Sequence, residues 1–182
     1  MKWLCVYCGS RSGNPDHQEA AREIGKGLVA RGWGLVYGGA SIGLMGDVAD
    51  AVLAAGGPVI GVLPRSLRDR EIAHRGLPDL RITDSMHERK ALMVSLSDAF
   101  VALPGGWGTL DELCEVVTWR QLFLHQKPCG LLNTSGFFDG FLAHLDRMQV
   151  DGFSRFDYRA ELSISNHPLD LLDRLIRTMQ AN

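Results

Sequence analysis

The stretch Ala102-Leu103-Pro104-Gly105-Gly106-Trp107-Gly108-Thr109-Leu110-Asp111-Glu112 decides the fold. The apolar run Ala99 to Leu103 reads as a strand that ends at Pro104. Three glycines follow within four residues, and a helical pattern then extends from Leu110 to about Leu124. A strand that passes through a glycine-rich turn into a helix is suited to anions. The glycines let the backbone approach a ligand, and the first-turn N–H groups have no partner inside the helix. A phosphate fits there, with Glu112 about one turn into the helix, beside whatever the phosphate carries. The same residues also have a ligand-free reading. Thr109 at N-cap and Glu112 at N3 spell a capping box, Thr-x-x-Glu. The glycine cluster weighs against that role alone, because one glycine suffices for a turn.

On the N-terminal side, Trp3 to Tyr7 reads as a short strand ending at Gly9-Ser10. A polar turn, Arg11 to Asp16, leads to a helix from about Pro15 to Arg31, with Ala20, Ile24, Leu28 and Val29 on one face. Trp33 to Tyr37 is a second strand, followed by another glycine-rich turn, Gly38 to Gly46, and a helix to about Ala55. Pro58 to Leu63 and Leu80 to Thr83 are strands. Between them, Pro64 to Pro78 carries Arg65, Arg68, Arg70, Glu71, His74 and Arg75 with little apolar periodicity. That segment reads as a surface loop with at most a short helix, either simply solvated or serving as a lid over a site.

Ser85 to about Ser97 is a helix with an apolar stripe of Met86, Leu92, Met93 and Leu96. Arg89 lies on that stripe. A core-facing cation is costly unless paired, so Arg89 either meets a carboxylate or ligand anion, or packs its stem and sends its head to water. The helix from Leu110 is apolar nearly all round, which a subunit interface would explain; a homodimer is expected. Cys129 to Leu132 and Glu161 to Ser165 read as strands, and Phe137 to Val150 and Pro168 to Met179 as helices.

Strand and helix alternate throughout. The pattern predicts one α/β domain over residues 1–182, a doubly wound, mainly parallel sheet with helices on both faces. Ligands of such sheets bind at the carboxyl ends of the strands. Gly9-Ser10, Gly38-Gly39, Glu71 and the turn from Pro104 to Thr109 are all expected at that edge.

Composition and motifs exclude several classes. The chain has 182 residues, 46% of them hydrophobic and 22% charged, as an ordinary globular protein does. A net charge of −2 makes no case for nucleic acid or an anionic membrane. No apolar run is long enough to span a bilayer, and the run Trp3 to Tyr7 is too short for a signal-peptide core; a cytoplasmic protein is expected. Cys5 and Cys8 form C-x-x-C, but on a strand they point to opposite faces. No second pair or clustered His completes a zinc site, so no metal and no cofactor is expected. The first turn, Cys8 to Gly13, lacks G-x-G-x-x-G, and no Gly-Lys-Ser or Gly-Lys-Thr occurs. Of Lys2, Lys26, Lys90 and Lys127, only Lys90 is placed to carry pyridoxal phosphate.

Ser85-Met86-His87-Glu88-Arg89-Lys90, then Asp98-Ala99-Phe100, then Pro104 to Glu112, together resemble the LOG family. These are the cytokinin riboside 5′-monophosphate phosphoribohydrolases, long mislabelled as lysine decarboxylases. The resemblance takes in Cys8-Gly9-Ser10, Tyr37-Gly38-Gly39, Gly43-Leu44-Met45-Gly46, Thr118-Trp119 and Lys127-Pro128, and fades after about Val150. It implies a Rossmann-like fold, a homodimer with sites near its interface, and hydrolysis of the N-glycosidic bond of an N6-substituted AMP. By motif it makes Arg89 and Glu112 the catalytic pair. It places Glu71, Lys90, Gly105, Gly106, Trp107, Gly108, Thr109, Leu110, Asp111 and Thr118 at substrate-contacting positions, beside Gly9, Ser10, Gly38 and Gly39 of the expected edge. Trp107 stands where a Tyr is common and Asp111 where a Glu is common, which bears on substrate preference. The alternative is a non-enzymatic carrier or sensor of a nucleotide or molybdenum cofactor, since related Rossmann-like proteins share the glycine turn.

Overall fold

The computed structural model describes residues 1–68, 72–154 and 156–181. Its strands are β1 (Lys2–Tyr7), β2 (Trp33–Tyr37), β3 (Val59–Pro64), β4 (Asp79–Thr83), β5 (Ala99–Ala102), β6 (Cys129–Leu132) and β7 (Leu162–Ser165). They form one seven-stranded sheet in the order β4-β3-β2-β1-β5-β6-β7. Every pairing is parallel. The strand order reverses between β1 and β5, both of which are central, and there the crossovers diverge to opposite sides.

The helices are α1 (Pro15–Ala30), α2 (Gly43–Ala54), α3 (Arg65–Arg68), α4 (Met86–Leu96), α5 (Trp107–Gln121), α6 (Asp139–Val150), α7 (Tyr158–Glu161) and α8 (Pro168–Ala181). Alternation along the strands divides the core in two. Leu4, Val6 and Cys8 of the β1 segment face Ala21, Ile24 and Leu28 of α1, Val48 and Val52 of α2, and Leu172 and Leu175 of α8. Cys5 and Tyr7 face the other way, into a core completed by Met93 of α4, Leu113 and Val116 of α5, Phe138 and Tyr158. The C-x-x-C pair is therefore split between the two cores, as the strand reading requires. Burial raises the thiol pKa of both cysteines far above the ordinary value, so both stay protonated.

Helix α5 departs from the sequence reading at both ends. It begins at Trp107 with Gly106 at the N-cap and no side-chain cap. The capping box of Thr109 and Glu112 is therefore absent, and Glu112 lies in the second turn. Gly106 and Gly108 have room around them, with no atom within 4 Å of an added Cβ, and the helix starts earlier than the apolar pattern suggests. At the other end α5 stops at Gln121, not Leu124. The N–H of Phe123 donates to Arg120 O (3.0 Å) and that of Leu124 to Trp119 O (2.9 Å), a Schellman turn with Phe123 left-handed at φ 60°. Leu122, Phe123 and Leu124 consequently project as an exposed apolar turn. Met86, expected in the α4 stripe, is exposed as well.

Gly43 opens α2 at φ +58°, and a Cβ there would collide with the backbone of Ser10 and Arg11. This close approach fixes the β1 turn against α2. Gly43→Ala is expected to cost about 3 kcal/mol, combining left-handed strain with an overpacked contact. Gly56 is left-handed too (φ +77°) but has open space around it, so Gly56→Ala should cost only about 1 kcal/mol. Urea midpoints of the two variants check this; equal losses would refute the contact's importance.

Candidate active site

The glycine turns meet where the strand order reverses. Gly9 N–H donates to Pro104 O (3.1 Å) and Leu103 N–H to Tyr7 O (2.9 Å), so the ends of β1 and β5 are pinned together. A Cβ on Gly9 would sit 3.3 Å from Gly105 Cα, so only two facing glycines allow the turns this close. Above this floor lies a cavity of about 360 Å³. Gly9, Ser10, Gly38, Arg89, the turn Gly106 to Thr109, and Glu112 all line it. Its remaining wall is largely apolar, with Ile42, Met45, Leu63, Leu67 and Ile72.

Arg89 and Glu112 form a buried ion pair, Nη1 to Oε1 3.0 Å, with side chains 10% and 9% exposed. Arg89 also donates from Nε to Val62 O at the end of β3 (3.1 Å). Any side chain at Gly38 would strike its guanidinium, so that glycine makes room for the cation. Of the two readings of Arg89, the paired one holds. Burial pushes the Glu112 carboxyl above its usual range; Asp111 adds to the rise, while Arg89 and Lys90 oppose it. Thr109 is 3% exposed and lies over Gly105, where a Cβ would collide with its side chain. Behind it, the first-turn N–H groups of α5 have no side-chain cap.

Other expected residues stand elsewhere. Lys90 does not line the cavity. Its Nζ is held between Asp111 Oδ2 and Glu115 Oε1, each at 3.1 Å, which braces α4 against α5. Asp111 is exposed and Leu110 half-buried, both outside the cavity wall. Gly39 lies behind it at φ +74°, its carbonyl accepting from His74 N–H (2.9 Å). Gly105 lines a neighbouring cavity. Thr118 lines a separate apolar groove between α5 and α6 and donates its hydroxyl to Cys114 O (2.6 Å). Glu71 lies outside the described residues. The apolar wall went unnoticed in sequence. Its residues are scattered from Ile42 to Ile72 over α2 and its N-cap, β3 and α3, and share no local sequence signal.

Residues 45–175 match the family described as "Possible lysine decarboxylase". Cytokinin riboside 5′-monophosphate phosphoribohydrolase LOG of Oryza sativa subsp. japonica is 54% identical over 157 residues, 86% of this chain and 65% of that protein. The chain belongs to the LOG family. Cytokinin riboside 5′-monophosphate phosphoribohydrolase LOG1 of Arabidopsis thaliana is 50% identical over 154 residues, 84% of this chain and 72% of that protein. This LOG-family chain thus matches just under two thirds of the length of the first of these relatives. Among solved structures, the molybdenum cofactor binding protein of Rippkaea orientalis superposes with TM-score 0.75 at 21% identity, over 98% of this chain and 97% of that one. The Moco Carrier Protein of Chlamydomonas reinhardtii also gives 0.75 at 21%, over 100% and 99%. At that identity the likeness is one of fold. The decarboxylase description finds no support at Lys90. Burial works against its ammonium, but Asp111 and Glu115 outweigh it and hold its pKa above the usual value, opposite to what a Schiff-base lysine needs.

Arg89→Met would leave Glu112 buried without its counter-ion. A carboxyl whose folded pKa is raised binds its proton more tightly folded than unfolded. The stability deficit is therefore absent below the usual carboxylate range and grows as pH rises through the raised value. The variant is expected to lose about 3–5 kcal/mol at pH 8 and clearly less at pH 5. An equal loss at both values, read by denaturant unfolding, would show that Glu112 is not the group left unpaired.

Proposed function

We propose that this chain hydrolyses the N-glycosidic bond of adenosine 5′-monophosphates, N6-substituted ones in particular, releasing the free base and ribose 5-phosphate. The observation that carries the reading is the buried Arg89–Glu112 pair in the wall of the cavity that opens at the glycine turn. Breaking the bond to adenine builds positive charge on the ribose ring, as in glycoside hydrolysis. Glu112 stabilises that charge and takes a proton from the attacking water. The water oxygen bonds to C1′, the C1′–N9 bond breaks, and the base leaves with its electron pair and acquires a proton. The raised pKa of Glu112 suits it to proton transfer nearer neutral pH than an ordinary carboxylate. Arg89 holds the carboxylate in place. The apolar wall of Ile42, Met45, Leu63, Leu67 and Ile72 favours a base carrying an apolar N6 group. Names of the rice and Arabidopsis relatives point to the same bond.

The homodimer belongs to this reading. Its support is the exposed apolar surface of Phe123 (83%), Leu124 (68%) and Phe153 (83%), with the apolar groove between α5 and α6. One domain over residues 1–182, a cytoplasmic setting, and no nucleic-acid or membrane partner complete it. Among the described residues, no helix is long and apolar enough to cross a membrane. A carrier of the same fold has no need of a buried Arg–Glu pair, which favours the enzyme.

The test is base release from AMP and from N6-isopentenyl-AMP, separated by chromatography, with Glu112→Ala in parallel. Wild type is expected to release base, faster from the N6-substituted nucleotide, and the variant to lose about 10²-fold or more in rate. Binding without release from either substrate would replace the hydrolase with the carrier. Near wild-type turnover by folded Glu112→Ala would remove Glu112 from the chemistry.

A further inference from the structure

The segment between β3 and β4 carries two residues of the apolar cavity wall, Leu67 and Ile72, yet it is thinly attached. None of its described residues from Arg65 to Pro78 is buried, so hydrophobic burial does little to hold it. Leu77 packs against the core at its far end. Around Ile72 the attachment is polar. The chain there crosses the second glycine turn as a short antiparallel bridge, Ala40 opposite Ala73. Ser41 N–H donates to Ile72 O (3.0 Å) and His74 N–H to Gly39 O (2.9 Å).

The side chain of His74 adds a third tie, to a different element. Gly76 N–H donates to its Nδ1 (3.1 Å), which puts the proton of the neutral ring on Nε2. That Nε2 in turn lies 2.9 Å from Asp50 Oδ1 on α2. The His74 side chain is 10% exposed and that of Asp50 70%. Neither residue lines the cavity. The helix they reach matters, because α2 carries Met45 in the same apolar wall, with Ile42 at its N-cap. The His74–Asp50 hydrogen bond therefore ties the Ile72 side of the wall to the Met45 side from behind.

We propose that His74 and Asp50 are positioning residues that set the preference for an apolar group on the base. This rests on the hydrolase reading above and deepens it. With the tie in place, Ile72 stands against Met45 and the wall is formed before the ligand arrives. Without it, the segment is held near Ile72 by backbone hydrogen bonds alone, and a ligand that uses the wall must first draw it together. That lowers the apparent affinity by the fraction of molecules with the wall in place. A nucleotide with an unsubstituted amino group does not use the wall and is spared the cost. Chemistry at Arg89 and Glu112 is untouched.

The test compares two ligand pairs in Asp50→Ala, His74→Ala and Asp50→Asn. KM and kcat are measured for AMP and N6-isopentenyl-AMP, and calorimetry follows binding of adenine and N6-isopentenyladenine, which are not turned over. Asp50→Ala and His74→Ala are expected to raise KM for N6-isopentenyl-AMP about fivefold, the worth of one net hydrogen bond, with kcat unchanged and KM for AMP little altered. Affinity for N6-isopentenyladenine should fall by the same factor and that for adenine should hold. Asp50→Asn keeps an oxygen that accepts the Nε2 proton and should restore most of the preference. Asp50 is exposed, so its loss leaves folding intact. An equal loss for both members of a pair, or no loss for either, in Asp50→Ala would overturn the proposal. A wild type that releases no base but prefers N6-isopentenyladenine, with the preference lost in Asp50→Ala, would sink the hydrolase and leave the positioning pair standing.

Discussion

The guanidinium of Arg89 touches three other elements at once, and the site is arranged around satisfying it. Its donors reach the end of β3 at Val62 O and the α5 carboxylate of Glu112, and Gly38 at the end of β2 leaves it room. A fixed cation at this depth is tolerable only with a matching anion and filled hydrogen bonds. The distance between α4 and α5 is therefore set by the reach of an Arg–Glu pair. Lys90, the next residue, repeats the connection at the rim through Asp111 and Glu115. The buried pair faces the cavity, and the outer pair holds the helices that carry it.

The reversal of strand order supplies the space. Crossovers from β1 and β5 leave in opposite directions, so no helix covers the gap between their ends. The chain fills that gap with glycine turns in mutual contact rather than with side chains. Open backbone, an uncapped helix start and two flanking cavities follow from this one topological feature. Proteins of very different described roles share the fold. The molybdenum-cofactor proteins superpose over nearly the whole chain at 21% identity. What separates the readings is side-chain chemistry at the crevice, above all the Arg89–Glu112 pair.

The sequence by itself determined the alternation of strands and helices, the two glycine turns and the family, because these are local signals. Apolar periodicity places β2 at Trp33–Tyr37 without error. The motif of Arg89 and Glu112 is legible because an Arg on an apolar stripe demands a partner. Local reasoning failed where local signals competed. Thr-x-x-Glu spells a cap, but α5 starts at Trp107, three residues sooner than that cap implies, and Phe123 ends the helix in a left-handed turn that its apolar character concealed. Only the tertiary structure decided that Lys90 braces helices instead of lining the cavity, and that Thr118 faces a different groove. It alone brought His74 onto Asp50 of α2. The reason is physical: a residue's neighbours in sequence constrain its backbone, whereas its charge partners and cavity come from elements that meet only when the sheet closes around them.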